Sequence, residues 1–394
     1  MSNSVPTVAS NTTIARHGAI ERLPELVLAT GAQRVLLVCG RTSLEASGAA
    51  RILPVLDRAV ALRRFDEHRP NPTAEAVAAG LAAAAEHRPD LIVGVGGGST
   101  LDTAKLIAAF KEVEDGDDVG RVVRRIERHE VAKSRDVGLI LAPTTAGSGA
   151  QATHFATVYV GTTKHSVVGA ALLPDLIILD PELAMSGDSY QRAVSGIDAL
   201  GQAIESMWAV GSDERSRDDA EAAIRLLLPA VVAFSRKPDE ATAQAMATGS
   251  QLAGQAINRS RTTVPHALAY ALTQQVGLVH GHAVAHTLPA VLARHLAADP
   301  AVIVGVTPTE HRRNMDRLLD ALEVADYDDA IVRLETIICD LKLREPERSK
   351  HSQIATRARK LAQDVDSLRA GNNPVRFSLR ELSDILLTPG RLQT

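Results

Sequence analysis

The sequence predicts an α/β amino-terminal domain with a parallel sheet, followed by an all-helical carboxyl-terminal domain. In the first 180 residues, short β-rich segments alternate with Ala-rich stretches of helical periodicity, an order typical of βαβ units. After about residue 183, long helical stretches follow one another with few strand signals. We therefore place the domain boundary near residue 182, which gives domains 1–182 and 183–394. A length of 394 residues also favours two domains.

The individual elements follow from the apolar runs and their spacing. Strands are expected where runs of Val, Leu and Ile stand between polar residues, at 34–39, 91–95, 137–142 and 176–179. Helices are expected over 43–58, 73–87 and 100–111, and the charge-rich segment 115–136 is expected to be a surface excursion. In the second domain, helical periodicity covers 189–210, 214–234, 238–257, 282–297, 310–343 and 352–368. An α/β domain followed by a helical one suggests an active site in the cleft between them.

Composition and charge exclude several classes of protein. The net charge is −4 and acidic and basic residues are interleaved, which argues against the clustered basic face of a nucleic-acid-binding protein. The two cysteines, Cys39 and Cys339, have no metal-ligand or redox partner nearby, so both are expected to be reduced. The amino terminus has no apolar core of a secretion signal, and no apolar run is long enough to span a membrane. We expect a cytoplasmic protein.

Two loops that follow strands are candidates for phosphate binding. The strand at 91–95 runs into Gly96, Gly97, Gly98 and Ser99 at the start of a predicted helix. Glycines allow a ligand to approach the backbone, and a helix amino terminus favours a phosphate. An ordinary βα turn would look the same, and the G-x-G-x-x-G pattern is absent. A second loop, 143–149, follows the next strand, and together the loops favour a dinucleotide.

A carboxylate and two imidazoles are candidate metal ligands. Asp198 and Gln202 lie four residues apart, so they share one face of a predicted helix. His266 stands at a predicted helix start, and His280 opens the histidine-rich segment 280–286. One carboxylate and two imidazoles can bind a divalent ion while leaving positions open for a substrate. A capping aspartate and a solvated histidine cluster are the alternatives that spacing leaves open.

Motifs along nearly the whole chain carry a family resemblance. In order they are GGGSTLDTAK (96–105), PTTAGSG (143–149), LPDLIILDPEL (173–183), GIDALGQAIES (196–206), PHALAY and HGHAVAHTLP. They resemble the iron-containing alcohol dehydrogenase superfamily, relatives of dehydroquinate synthase. The resemblance implies a dehydroquinate synthase-like fold and an NAD(P)-dependent oxidoreductase, with a homodimer as the expected assembly.

The resemblance also implies a role for each matching position. The cofactor pyrophosphate would lie on residues 96–99, with Asp102 near the nicotinamide. The cofactor would further be lined by Thr144, Thr145 and Ser148, and its ribose would touch Lys164. The metal ligands would be Asp198, His266 and His280. Fe²⁺ is the metal that the family favours, and Zn²⁺ suits the same ligands.

Three departures from the family pattern bear on cofactors. Gln202 and Tyr270 stand where the family usually has histidines, so Gln202 would offer only a neutral carbonyl oxygen to a metal. Many members end the first strand with an acidic residue that holds the adenosine ribose, whereas Gly40 and Arg41 stand there in this chain. Because an arginine attracts a 2′-phosphate and an acid repels it, we predict NADPH rather than NADH.

Within the superfamily, the chain is most similar to phosphonoacetaldehyde reductases. The similar segments are AGSGAQATHFATVY (146–159), NRSRTTVPH (258–266) and RAGNNP (369–374), together with Gln202 and Tyr270. This resemblance implies reduction of phosphonoacetaldehyde to 2-hydroxyethylphosphonate. A metal would polarise the carbonyl, and a proton would arrive through His282, a nearby hydroxyl or water.

The phosphonate would need cationic partners. Arg259 and Arg261 are the candidates, with His154 and Lys164 as helpers, although both arginines could equally be solvent-exposed. The alternatives are a reductase of another short aldehyde (sulfoacetaldehyde or an uncharged one), a dehydroquinate synthase-like cyclase, or a metal-free binding protein. The amino-terminal residues could also form an edge strand that pairs with a second subunit.

Overall fold

The computed structural model describes residues 12–67, 71–111, 118–344 and 346–387. The chain divides into two compact units, Met1–Gly187 and Asp188–Thr394. The division follows shortly after the predicted boundary because the turn at 180–183 is tied to the first unit. The carboxylate of Asp180 accepts hydrogen bonds from the backbone N–H groups of Gly18 (3.2 Å) and Ile20 (3.0 Å). The predicted fold class, an α/β domain with a parallel sheet followed by a helical domain, is confirmed.

The strands of the first unit form one parallel sheet and one hairpin. The strands are β1 (Thr12–Ala15), β2 (Arg34–Cys39), β3 (Ala61–Phe65), β4 (Leu91–Gly96), β5 (Gly138–Pro143), β6 (Phe155–Val160), β7 (Thr163–Val168) and β8 (Leu176–Leu179). The sheet has the order β1-β8-β5-β4-β2-β3, and β6 pairs with β7 in an antiparallel hairpin. β1 is an edge strand that pairs with β8 of its own chain. Residues 1–11 lie outside the described residues, and pairing with a second subunit stays a prediction.

Helices cover both faces of this sheet because side chains alternate along the buried strands. Val35 and Leu37 point into one apolar core, whereas Leu36 and Val38 point into the other. The helices are α1 (Leu23–Ala29), α2 (Arg41–Ala46), α3 (Leu53–Ala59), α4 (Ala74–His87), α5 (Gly98–Phe110) and α6 (Val119–Glu127).

Two predicted elements of this unit are wrong. The predicted helix 43–58 is broken at Gly48, whose φ of 73° lies in the left-handed region, so α2 and α3 are separate helices. The predicted surface excursion 115–136 contains α6, which buries Val122 and Ile126 in the core; residues 115–117 lie outside the described residues. The two buried side chains lie four residues apart, Val119 and Val123 pack partly buried beside them, and three arginines occupy other positions of the helix.

The second unit is helical throughout its described residues. Its helices are α7 (Ser189–Trp208), α8 (Glu214–Arg236), α9 (Glu240–Ser260), α10 (Val264–Val276), α11 (His280–Leu296), α12 (Pro308–Ala321), α13 (Tyr327–Asp340), α14 (Arg348–Gln363), α15 (Ser367–Gly371) and α16 (Leu379–Leu387). Capping boxes at Asp213, Asp239 and Thr307 fix the starts of α8, α9 and α12. Among the described residues, no helix combines the length and the apolar character needed to cross a bilayer.

Glycines let the helices around α7 approach closely. A Cβ on Gly281 of α11 would lie 1.9 Å from the carbonyl oxygen of Val194 of α7. A Cβ on Gly201 of α7 would lie 2.8 Å from Val284 of α11. α7 and α11 therefore pack nearly backbone to backbone, which brings the start of α11 against the middle of α7.

Candidate active site

The glycine loop joins β4 to α5 at the carboxyl edge of the parallel sheet. α5 begins at Gly98 with Gly97 as its N-cap, so the N–H groups of its first turn have no partner within the helix. The backbone N–H of Thr144 donates to the carbonyl of Gly96 (2.9 Å), which joins the second loop to the first. The connection after β2 leads to β3, toward one edge of the sheet, whereas the connection after β4 leads to β5, toward the other edge. Open α/β sheets bind ligands at the point where two such connections diverge.

Side chains of the second loop pack directly against the glycines of the first. A Cβ on Gly98 would lie 2.6 Å from Ser148 Oγ, and a Cβ on Gly97 would lie 3.5 Å from Thr145 Cγ2. Any larger residue at position 98 would therefore displace the second loop. The two loops that the sequence singled out form one surface at the amino terminus of α5, suited to a pyrophosphate.

Asp102 joins α5 to the β6–β7 hairpin. The Asp102 carboxylate accepts a hydrogen bond from the Thr157 backbone N–H (2.9 Å) and lies 3.8 Å from Lys105 Nζ. Burial raises the pKa of Asp102, and the positive charges of Lys105 and Lys164 act against that rise. Asp102 thus ties α5 to the hairpin that carries Lys164, which gives it a structural task beside the predicted nicotinamide contact.

Two residues around these loops were missed by the sequence analysis. Asn71 donates its backbone N–H to Ser99 Oγ (3.1 Å), which places the chain before α4 beside the glycine loop. Lys105 is fully buried and donates to the carbonyl of Ala150 (2.8 Å) and to Thr153 Oγ1 (3.0 Å). The family motif contained Lys105, but only the fold shows that it anchors the second loop.

Gly40 and Arg41 follow β2 at the same edge of the sheet. A Cβ on Gly40 would lie 3.6 Å from Thr100 Oγ1, so this turn adjoins the glycine loop. The Arg41 side chain is largely exposed and pairs with Asp66, which follows β3 (Nε to Oδ2, 3.2 Å). A basic side chain (Arg41) and an acidic one (Asp66) therefore lie next to each other where the adenosine ribose is expected.

Asp198, His266 and His280 converge as predicted. One ligand atom of each lies within 4.8 Å of the others, and this group is the only such cluster in the part of the chain that the structure describes. His266 Nε2 lies 3.3 Å and His280 Nε2 lies 3.8 Å from Asp198 Oδ1. His266 and Asp198 are buried, whereas His280 is partly exposed. The cluster is therefore open on the His280 side, as a substrate requires.

Gln202 lies one helical turn after Asp198 and is buried. Its Nε2 donates to Asp198 Oδ2 (3.2 Å), the carboxylate oxygen that does not face His266. In this arrangement the amide orients Asp198. A direct role of Gln202 as a metal ligand stays a prediction.

Glu205 lies behind His266 and was missed by the sequence analysis. Its fully buried carboxylate forms a hydrogen bond with His266 Nδ1. It also accepts hydrogen bonds from the backbone N–H (2.8 Å) and the hydroxyl (2.9 Å) of Thr263. Burial lowers the pKa of His266, but Glu205 and Asp198 outweigh burial and raise the pKa to about 9. A bond from Nδ1 to Glu205 leaves Nε2 directed at Asp198, so a metal ion there would displace a proton.

Tyr270 and Arg369 lie beside His280, the partly exposed member of the cluster. The Tyr270 ring stacks on the His280 imidazole, with centroids 5.3 Å apart and planes at 14°. The Arg369 guanidinium carbon lies 4.5 Å from the Tyr270 ring centroid. Arg261 follows α9 with a φ of 63°, a conformation that is strained for a residue with a side chain. Arg369 was not assigned a role from the sequence.

Two predicted residues have other partners in the structure. Arg259 donates to Asp213 Oδ2 (2.9 Å) at an exposed position, so its charge is already paired. The ring of His154 contacts Phe155 edge-on, with centroids 5.9 Å apart. Neither contact points to a substrate site.

His282 is a poor proton donor. It is buried, and its Nδ1 lies 3.1 Å from the Tyr190 hydroxyl. Burial and the neighbouring His286 lower the pKa of His282 to about 4. The imidazolium form is therefore scarce at neutral pH, and a proton relay through His282 stays a prediction.

Known proteins match this chain over both units. Residues 10–181 match the family described as iron-containing alcohol dehydrogenase, and residues 192–386 match the carboxyl-terminal part of the Fe-containing alcohol dehydrogenase family. The chain belongs to the iron-containing alcohol dehydrogenase family. It is thus an oxidoreductase of the alcohol–aldehyde type, as the sequence motifs predicted.

Individual relatives of this family are similar at moderate identity. Long-chain-alcohol dehydrogenase 1 of Geobacillus thermodenitrificans is 33% identical over 70% of this chain and 69% of that protein. Phosphonoacetaldehyde reductase of Streptomyces viridochromogenes is 32% identical over 76% of each. Among solved structures, sulfoacetaldehyde reductase from Bifidobacterium kashiwanohense in complex with NAD⁺ has a TM-score of 0.80 at 24% identity, covering 96% of both chains. The similarity to the sulfoacetaldehyde reductase structure shows a shared fold only.

In this alcohol dehydrogenase, replacing Glu205 should weaken metal binding. We expect Glu205→Gln to lower the affinity for Zn²⁺ or Fe²⁺ about 10- to 100-fold, because a neutral amide holds the His266 imidazole less firmly. Titration of metal-free protein with a competing chelator measures this. Glu240→Gln, an exposed change on α9, is the control. Equal affinities of wild type and Glu205→Gln would show that Glu205 does not support the ligand.

Proposed function

We propose that the protein reduces a small anionic aldehyde with a nicotinamide cofactor, and that phosphonoacetaldehyde is its substrate. The observation that carries the proposal is the convergence of Asp198, His266 and the partly exposed His280, next to the Tyr270 ring that Arg369 contacts. The product would be 2-hydroxyethylphosphonate: hydride from NAD(P)H and one proton from solvent convert the aldehyde to the alcohol. The similarity to phosphonoacetaldehyde reductase supports the choice of substrate.

The donor set fits a divalent metal. One carboxylate and two imidazoles, with Glu205 behind one of them, suit Fe²⁺ and Zn²⁺ alike, and the family favours Fe²⁺. Bound there, the ion would supply Lewis acidity toward an aldehyde oxygen. The protein's own contribution is to fix the ligands: Gln202 orients Asp198, and Glu205 orients His266.

The glycine loop fits a dinucleotide. The amino terminus of α5 offers N–H groups to a pyrophosphate, and a Cβ on Gly98 would lie only 2.6 Å from Ser148 Oγ, so the close packing of the two loops supports a glycine there. When bound, the nicotinamide would supply the hydride. We assign the proton to solvent water, which reaches the partly exposed His280 side, rather than to the neutral His282.

A substrate panel tests this proposal. Purified protein loaded with Fe²⁺ should oxidise NADPH with phosphonoacetaldehyde faster than with sulfoacetaldehyde or propanal at matched concentrations. A preference for sulfoacetaldehyde would mean that the substrate is sulfoacetaldehyde, while the proposed reaction, aldehyde reduction, would still hold. No consumption of either nicotinamide with any short aldehyde would overturn the proposal. Cofactor that is bound but not consumed would instead support the cyclase, and binding without metal would support a metal-free binding protein.

The cofactor proposal is NADPH, and the Arg41–Asp66 pair makes it testable. A 2′-phosphate would take Arg41 from Asp66, whereas the ribose hydroxyls of NADH would bond Asp66. Since the pair is exposed, we expect Asp66→Asn to raise the NADPH-over-NADH ratio of kcat/KM about fivefold and Arg41→Ala to lower it similarly. Cofactor titrations of both variants measure the ratio. Tighter NADH than NADPH in the wild type would contradict the choice of cofactor. The homodimer and the cytoplasmic location stay predictions.

A further inference from the structure

We propose that Arg261 and Arg369 form an anion subsite beside the metal ligands, which takes the phosphonate or sulfonate head group of the aldehyde. The inference rests on the proposed reduction of an aldehyde and names how its charged end is held. Tetrahedral oxyanions of this kind are recognised by guanidinium groups through paired N–H donors.

Arg369 is a buried cation, and its side chain has N–H donors that no described protein group accepts. Only 9% of the residue is exposed. Its Nε donates to Thr262 Oγ1 (3.1 Å), and its Nη1 donates to Asp366 Oδ2 (3.2 Å). Nη2 has no hydrogen-bond partner among the described residues. A guanidinium carries five N–H donors, and since no Arg369 nitrogen is among the fully buried atoms that lack a partner, Nη2 remains accessible to a ligand.

The position of Arg369 suits a charged substrate. The Tyr270 ring stacks on the His280 imidazole and also carries the Arg369 guanidinium over it. One ring therefore contacts both a metal ligand and the cation. An aldehyde whose carbonyl lies at the ligand cluster would carry its charged head group toward Arg369.

Arg261 brings a second positive charge to the same place. It adjoins Thr262, the hydrogen-bond partner of Arg369, and it is partly exposed. Burial and the positive charge of Arg369 lower the pKa of Arg261. The Asp366 carboxylate offsets part of this positive charge at Arg369 (3.2 Å), and a bound anion would offset more of it.

The backbone at Arg261 is held in place by Asn372. Asn372 Nδ2 donates to the carbonyls of Ser260 (2.8 Å) and Thr262 (3.1 Å), on both sides of Arg261. Its Oδ1 accepts from the Gly211 backbone N–H (2.9 Å). These bonds fix Arg261 at a positive φ that glycine would adopt without strain. An arginine in a conformation that favours glycine indicates that the arginine side chain itself has a task at this position.

Selectivity between aldehydes tests the subsite. We expect Arg261→Gln and Arg369→Lys to lower the kcat/KM ratio of phosphonoacetaldehyde over propanal about 10- to 100-fold, through KM, since each change removes a charged or paired donor. Sulfoacetaldehyde run in parallel shows which head group depends on the arginines. Arg357→Ala, an exposed arginine that donates to the Gln275 carbonyl in α10, is the control and should leave the ratio unchanged. An equal loss with propanal would mean that the arginines only support Tyr270, and an unchanged ratio would also overturn the subsite.

A binding experiment separates this inference from the proposed reaction. Methylphosphonate and methanesulfonate, titrated into wild-type protein by calorimetry, should bind, and Arg261→Gln should weaken that binding at least tenfold. Arg261→Gly should unfold at a higher temperature than wild type and still lose anion binding, because it relieves the backbone and removes the charge. If no aldehyde is reduced but these anions bind through Arg261, the proposed reaction fails and the subsite stands. Equal anion binding by wild type and both variants would refute the subsite.

Discussion

His280→Ala is expected to lower kcat/KM for aldehyde reduction about a thousandfold, several kcal/mol of transition-state stabilisation. Removing this imidazole leaves Asp198 and His266 as the remaining members of the cluster. An ion held by two ligands would bind more weakly and would be misplaced relative to the substrate. Steady-state kinetics together with metal analysis of the purified variant measure both effects.

The control for this change is another histidine. His351 is exposed on α14, so His351→Ala removes an imidazole without touching the cluster and should leave rate and metal content unchanged. If His280→Ala retained both the metal and the wild-type rate, His280 would not be a ligand.

Among substitutions that add a single methyl group, Gly281→Ala is expected to destabilise the fold most. Its Cβ would lie 1.9 Å from the Val194 carbonyl oxygen, and backbone cannot move aside as a flexible side chain can. Separating α7 from α11 should cost about 1–3 kcal/mol or more of folding free energy. Because α7 carries Asp198 and α11 begins at His280, a shift of about 1 Å could also lower the rate about 100-fold.

Thermal unfolding and kcat/KM of Gly281→Ala test this packing argument. Gly371→Ala is the matched control, since no atom lies within 4 Å of its added Cβ, and it should unfold at the wild-type temperature. A Gly281→Ala protein with wild-type melting temperature and activity would mean that the two helices are free to separate.

Buried strands were predictable and exposed ones were not. The runs at 34–39, 91–95, 137–142 and 176–179 are continuous and apolar because parallel strands are covered on both faces, and all four are strands. β3 and the β6–β7 hairpin were missed, since polar residues such as Arg63, Arg64 and Lys164 interrupt their apolar pattern. In helix α6, two buried positions among arginines gave too weak a signal.

The site was predictable where residue type carries the chemistry. Histidines and an aspartate in family motifs pointed to the ligand cluster, and the structure brings Asp198, His266 and His280 together. Glu205 was missed because a glutamate within a helix reads as a solvated side chain. Arg369 was missed because its contact with Tyr270 joins positions that are far apart in sequence, which only the fold reveals.

The central claim is that a divalent ion at Asp198, His266 and His280 is required for aldehyde reduction. The most direct measurement is the rate of NADPH oxidation with phosphonoacetaldehyde by one preparation, before chelation, after complete metal removal, and after Fe²⁺ or Zn²⁺ is added back. The account predicts that the rate disappears with the metal and returns when one of these ions is restored. A full rate in protein shown by elemental analysis to contain no metal would contradict it.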